Sequence, residues 1–521
     1  VAVNTFWLVT ITAIYIVMML GLGYLGYRQT KGAEDYLVAG RKAHPVVIAL
    51  SYGATFISTS AIVGFGGQAA NLGMGLIWLT VLNIGVGILL AFVIFGKKTR
   101  EIGHRLKAIT FPDLMGKIYS SEFMRVASGL VILVGMPLYT AAVLIGGAQF
   151  IKQTLGVSYE ASLIGFAIIV AVYVIFGGLI AVMYTDAVQG AIMLVGMTIL
   201  IVATYFILGG VNAGNSALTA MANLVPANLA AQGMTGWTTM PELGSPIWFT
   251  LITTLVLGVG IGVLAQPQLV VRFMTAKDNR SLNRAVLVGG PFILMMTGVA
   301  FTVGALTNVY FQQTMGQIAV AAAGGNVDSI FPLFINLAMP DWFVVLFMVT
   351  LLAAAMSTLS SLFHTMGTAL ICDIWGRGKG CALSLKANQV GVVVMIIVSV
   401  IVAFLMPGSI IAIATAMFMG LCASAFLPVF AVAVYCKKPD PTAAKVSLVL
   451  GAVAWFIWAL FVNARYAGVF GLSKALLGTT SVFPYPWSAM DPLVIALPIS
   501  AVAIIILQLR AGRCGVQPVP A

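Results

Sequence analysis

Four hydroxyls interrupt an apolar run that extends from Trp342 to Leu370, in the stretch Ala354-Ala-Met-Ser357-Thr358-Leu-Ser360-Ser361. At about 100° per residue, Ala354, Ser357, Thr358 and Ser361 share one face of a helix, with Ser360 beside it. Hydroxyl oxygens joined by a backbone carbonyl suit a small hard cation such as Na⁺. In hydrocarbon such groups need partners or a function. The alternative is that the hydroxyls bond back to carbonyls one turn earlier, or join two helices.

A second polar interruption reads Ala54-Thr-Phe-Ile57-Ser58-Thr59-Ser60-Ala-Ile-Val-Gly64-Phe-Gly66-Gly67, and a third Gly258-Val-Gly260-Ile-Gly262-Val-Leu-Ala-Gln266-Pro267. Glycine and proline loosen a helix and free backbone groups. Unwound backbone at membrane depth is tolerated where it lines a polar cavity. The freed carbonyls of Ala54 and Ile57 are then expected to complete a cation cage with Ala354, Ser357 and Thr358. Freed N–H groups would favour an anionic solute group. Close packing of small residues is the competing explanation of these glycines.

Membrane spans must position these groups. The chain has 521 residues, 61% hydrophobic and 8% charged, with a mean hydropathy of +1.08. That composition specifies an all-α polytopic membrane protein. Its spans are expected at 4–27, 45–70, 76–96, 124–151, 159–181, 184–209, 246–273, 284–311, 341–374, 387–407, 409–435, 443–464 and 490–509, about 13 in all. The first is long enough to remain as a span, not a cleaved signal. The two broken spans lie five apart, the pattern of an inverted-repeat transporter.

The net charge of +12 does not indicate nucleic acid, because no basic-aromatic surface or nucleic-acid motif accompanies it. With the N-terminus outside and the C-terminus cytoplasmic, all the Lys and Arg except Lys152, Arg465 and Lys474 fall in cytoplasmic segments. The outer connections near 210–245 and 312–340 contain neither. Their apolar runs, Ala217 to Leu229 and Ile330 to Leu337, read as surface helices or as plain loops. Cys372, Cys381, Cys422, Cys436 and Cys514 are scattered, and predict neither a disulfide framework nor a zinc site.

Several ordered motifs together resemble the sodium:solute symporter family. They are Glu34-Asp35-Tyr-Leu-Val-Ala-Gly40-Arg41, the break from Ala54 to Ser60, Tyr184-Thr185-Asp186-Ala-Val-Gln189-Gly190, Gln266-Pro267 with Arg272-Phe273-Met274, and Ala355-Met-Ser357-Thr358-Leu-Ser360. The resemblance runs from about residue 5 to about residue 460. It implies a five-plus-five inverted-repeat (LeuT-like) core, with repeats at 45–210 and 246–435 joined by the outer connection 211–245. Segments 1–44 and 436–521 are peripheral. It also implies one Na⁺ at Ala54, Ile57, Ala354, Ser357 and Thr358. Members with a two-sodium design match here at Asp186, Ser360 and Ser361, which makes a second Na⁺ the further expectation.

Asp186 is placed at the cytoplasmic end of the sixth span, either handling ions or as a solvated carboxylate. Arg41 is read either in a loop salt bridge with Glu34 or Asp35 or, by the resemblance, in ion coupling. His364 is read as a packed helix histidine, with a proton relay as the alternative.

The proline-transporting branch carries aromatics around its solute. Tyr139 matches one, Ser60, Val259 and Val263 replace three others, and Pro267 is kept. Sugar transporters resemble a Glu-Gln pair where this chain has Ser60-Ala61. Thr59-Ser60-Ala61-Ile62 is similar to the pantothenate and monocarboxylate branch. The expected solute is therefore a small carboxylate in a pocket with no fixed basic residue, contacted by Thr59, Ser60, Gln68, Tyr139, Val263 and Gln266.

The chain is thus expected to be a Na⁺-coupled importer of the cytoplasmic membrane. Its partners would be a small-molecule solute and the lipid bilayer. A proline-like amino-acid symporter and a proton-driven transporter are the alternatives. A membrane enzyme is disfavoured because no H-E-x-x-H or G-x-S-x-G motif occurs. A channel is disfavoured because the spans are interrupted, not continuously polar.

Overall fold

A backbone in hydrocarbon must satisfy its own hydrogen bonds, so long apolar runs become helices. In the computed structural model, residues 5–29, 38–41, 43–177, 179–376 and 385–512 are described. No strand forms among them, and a single bridge pairs Ala43 with Ala276. Among the described residues eleven helices are long and apolar enough to cross a membrane, and a twelfth span is a bent pair. One further helix, Tyr159–Gly177, completes the set expected from sequence.

The first helix is α1 (Thr5–Gln29). It is followed by the bent pair α2 (Pro45–Phe56) and α3 (Ser60–Leu72), then α4 (Met74–Arg105) and α5 (Glu122–Leu155), α6 (Tyr159–Gly177) and α7 (Leu179–Ile207). The seventh expected span is two helices, α8 (Pro246–Ala265) and α9 (Pro267–Thr275). Pro267 ends α8 and starts α9, as a residue without an N–H and with fixed φ does best at a first turn. There follow α10 (Asn279–Met315), α11 (Asp341–Trp375), α12 (Leu385–Leu405) and α13 (Ile411–Tyr435). The C-terminal pair is α14 (Pro441–Val462) and α15 (Pro492–Arg510).

The broken helices sit at the centre. α2 packs on α7, α10 and α11, and α3 packs on α10. α11 is the most deeply enclosed span, with 94% of its most apolar window buried. That is where polar side chains can be held away from lipid. Two glycines are obligatory in this packing. A Cβ on Gly304 of α10 would lie 2.1 Å from the Gly66 carbonyl oxygen of α3, and one on Gly262 of α8 would lie 2.4 Å from the Met419 carbonyl oxygen of α13.

Both long connections, near 210–245 and 312–340, contain helix. The first has Val211–Ala220 and the second Ile330–Ala338. Cys372 is disulfide-bonded, a departure from the sequence expectation. Spacing along the chain does not report which sulfurs the fold brings near each other.

The second of these connections is fastened to the start of α13 by Asp328. Its Oδ2 accepts hydrogen bonds from the backbone N–H of Ile410 at 2.9 Å and of Ile411 at 3.3 Å. Ser409 adds a bond to Asn326 at 3.2 Å and accepts one from Val327 N–H at 3.0 Å. Burial raises the Asp328 carboxyl to about 7, and the Ile411 and Ile410 N–H groups oppose that rise. The unfolded chain releases this proton near 3.8 while the folded chain keeps it to about 7. Stability from this group is therefore fullest in acid and is lost as pH rises between those values. The Asp328→Asn variant is expected to flatten that part of the pH dependence of the unfolding midpoint. An unchanged slope between pH 5 and 8 would assign it to other groups.

Candidate functional site

The bend between α2 and α3 measures 52°. Ile57 is extended, at φ −90° and ψ 107°, and its N–H donates to Gly53 at 2.8 Å. Beyond it the helical ladder is interrupted, so the carbonyls of Ala54 and Thr55 are free to accept from elsewhere. The hydroxyl of Ser357 donates to the Ala54 oxygen at 2.8 Å and reaches the Ala354 oxygen at 3.2 Å. The Thr358 hydroxyl donates to the Thr55 oxygen at 3.0 Å and lies 3.3 Å from that of Ala54. Ala54, Ala354, Ser357 and Thr358 are all fully buried, and Ile57 sits at the kink itself. The result is a cluster of carbonyl and hydroxyl oxygens with no nitrogen or sulfur, the chemistry a hard cation prefers. A hydroxyl can rotate its hydrogen away and present a lone pair instead.

A charged cluster adjoins this one. Asp186 is fully buried, so of its two readings the solvated carboxylate does not hold. It lies on the face of α7 that packs against α2 and meets Arg272 of α9, with 2.9 Å between Oδ2 and Nη2. Ser51 and Thr55 donate to the same oxygen at 2.9 and 3.3 Å. Arg272 donates further to Ser51 at 3.0 Å, to the Gln268 carbonyl at 2.7 Å and to Ser361 at 2.6 Å. Each charge is thereby paired and hydrogen-bonded, which burial in a low dielectric requires. Asp186 Oδ1 accepts no hydrogen bond among the described residues.

Thr55 belongs to both clusters, its carbonyl bonded to Thr358 and its hydroxyl to Asp186. Of the residues expected to hold a second ion, Asp186 and Ser361 come together. Ser360 instead donates to the Ser357 carbonyl at 3.0 Å. The role of Arg272 was not legible as more than part of a motif. Its signal was a lone cation among the apolar residues of α9.

Just outside the bend lies a small cavity of about 20 Å³, walled by Phe56, Ile57, Ser58, Asn83, Tyr139, Val259, Thr297, Thr415 and Met419 among others. Tyr139 donates to Ser58 at 3.3 Å and stacks on Phe418 with 5.9 Å between ring centroids. It lines this cavity, whereas the other expected solute contacts do not. Thr59 turns to the Val143 carbonyl at 2.8 Å. Ser60 donates its N–H to Ser58, and its hydroxyl is buried without a partner among the described residues. Gln68 is buried higher on α3, Val263 packs against Gly87, and Gln266 is held between Met419 and Gln268. Asn83, Thr297 and Thr415 are wall residues missed from sequence, each a polar group inside an apolar span. Among the described residues no basic one lines this cavity. Arg272 is fixed nearby, in the wall of a second cavity of about 20 Å³ with Thr110, Gln268, Ser361, His364 and Thr368.

That second cavity leads toward Thr110, whose hydroxyl donates to both Asp373 oxygens at 3.0 and 3.1 Å. Arg41 donates to the Ala108 carbonyl at 2.8 Å and the Met274 carbonyl at 3.5 Å, pinning the loop before α2 to the end of α9. Glu34 and Asp35, its other expected partners, lie outside the described residues.

Comparison with known proteins fits this architecture. The chain is 26% identical over 481 residues to sodium/proline symporter 2 of Staphylococcus saprophyticus, covering 89% of both chains. It is 26% identical to the sodium/pantothenate symporter of Haemophilus influenzae, covering 85% of this chain and 88% of that one. Among solved structures, a Na⁺-coupled sialic acid symporter in a substrate-bound outward-open state superposes with a TM-score of 0.75. Identity there is 18%, over 98% of this chain and 99% of that one. A nucleobase-cation-symport-1 transporter gives a TM-score of 0.51 at 14% identity, over 92% and 94%. The model of the sodium:solute symporter family matches residues 36–451. The chain belongs to the sodium:solute symporter family: it is a multi-pass membrane transporter that moves a solute with Na⁺, not an enzyme.

Proposed function

We propose that this protein imports a small carboxylate-bearing solute, monocarboxylate or pantothenate-like, by Na⁺-coupled alternating access. The observation that carries the reading is the meeting of Ala54 and Ala354 carbonyls with Ser357 and Thr358 hydroxyls at the break of α2. One Na⁺ there, with the Ile57 carbonyl completing its shell, would tie α2 to α11. With the N-terminus outside, Na⁺ and solute enter from the outer side and raise each other's affinity reciprocally. The broken spans then rock against their surroundings, and the ion leaves past Arg272 and His364 toward Thr110.

A second Na⁺ at Asp186 and Ser361 requires Arg272 to give up its bonds to both, because its guanidinium supplies the positive charge there. The Arg41 tether would transmit movement of the α9 end to the cytoplasmic loops. An amino-acid solute such as proline is the second reading, favoured by the Tyr139–Phe418 stack beside the cavity. A proton-driven cycle would use Asp186 and His364 in place of Na⁺.

Proteoliposome uptake of lactate, pantothenate and proline, with an inward NaCl gradient against KCl, separates these readings. Uptake of a carboxylate that needs Na⁺ supports the proposal, and uptake equal in KCl removes it. The double variant Ser357→Ala, Thr358→Ala is expected to lose Na⁺-stimulated uptake while retaining its unfolding midpoint to within a few degrees. Full uptake in that variant would remove this cation site.

Asp186→Asn leaves a buried guanidinium without its counter-charge and is expected to cost about 3–5 kcal/mol. Adding Arg272→Gln should recover most of the unfolding midpoint without recovering coupling. If the pair only holds the fold, the double variant transports with wild-type Na⁺ dependence.

A further inference from the structure

A larger polar cavity, of about 260 Å³, lies well away from the transport site, between the outer half of α8 and the loops that flank α14 and α15. Pro246, Thr250 and Thr254 form its α8 wall, and Arg465, Tyr485 and Ser488 face them. Most of its polar groups are already committed. Thr250 donates to the Pro246 carbonyl at 3.0 Å. Thr254 is hydrogen-bonded to Tyr466 and Asp491. Asn463, at its edge, donates to the Met490 carbonyl at 2.9 Å and accepts from Tyr466 N–H at 2.9 Å.

The uncommitted groups are donors: the guanidinium of Arg465 and the hydroxyls of Tyr485 and Ser488. Arg465 is exposed and joins none of the ion pairs formed among the described residues. It is also one of only three basic residues on the face read as outer from the charge distribution. A planar guanidinium flanked by hydroxyls matches a carboxylate, which it can hold with two parallel hydrogen bonds. The volume falls below the roughly 300–1,000 Å³ of sites for larger ligands, so it suits an anion of few carbons.

We infer that this cavity is a second anion site, distinct from the transport path, which takes a small carboxylate on Arg465. Its walls give such a ligand a consequence. Thr253 accepts the Asp491 N–H at 3.2 Å, and Tyr466 donates to Asp491 at 2.6 Å. An anion held by Arg465, Tyr485 and Ser488 packs against the α8 wall and strengthens the attachment of α8 to the C-terminal spans. It acts on transport through the element that ends at the Gln266–Pro267 break.

The test is a titration of the full chain in phosphatidylcholine nanodiscs with potassium acetate and potassium lactate. Total ionic strength is held with KCl, Na⁺ is absent, and the unfolding midpoint is read. The wild type should show a saturable rise. Arg465→Gln should need at least tenfold more carboxylate to reach half of it, and Arg465→Lys should fall between. The Ser357→Ala, Thr358→Ala variant should titrate as wild type, which separates this site from the cation site. A rise that is the same in Arg465→Gln, or no rise beyond that of KCl alone, overturns the inference. So does a rise with potassium phosphate and none with either carboxylate.

Discussion

Everything central in this protein depends on a shortage of hydrogen-bond donors. Where α2 stops at Phe56 the carbonyls of Ala54 and Thr55 lose their helical partners, at a depth where water is scarce. The fold answers with side chains from α11, and the same side chains create an oxygen cluster. Breaking one helix and enclosing another are therefore one device. The deep burial of α11 keeps Ser357 and Thr358 from finding other partners.

The charged cluster obeys a harsher rule. A carboxylate or a guanidinium alone in this interior would be strongly unfavourable, so Asp186 and Arg272 stand or fall together. Their partners come from α2, α7, α9 and α11 at once. A displacement of any one of these helices must be accommodated by the pair. Thr55 makes the accommodation audible at the neighbouring oxygen cluster, since its carbonyl faces one centre and its hydroxyl the other.

Much of this was legible in the residues. Hydropathy placed the spans, and the i, i+3, i+4, i+7 spacing in α11 with the glycine-rich break in α2 brought out four residues that do meet. The depth of Asp186 was not legible, because a helix can slide relative to the membrane without any change in its pattern. Arg272 was seen in a motif but its partner was not, since α9 and α7 lie far apart in sequence. The cavity wall was read least well. It draws on α2, α3, α4, α5, α8, α10 and α13. Which face of each points inward is settled by packing, so Thr59 turned to the Val143 carbonyl while Asn83 and Thr297 turned in.

The two glycine contacts have a further consequence. At Gly66 with Gly304, and at Gly262 with Met419, two helices meet over bare main chain. Interdigitated side chains must change rotamer before one surface can slip past another, and that makes a packed interface bistable. Smooth backbone carries no such teeth. At these two points the molecule has bearings in place of gears, and they lie beside the two broken helices.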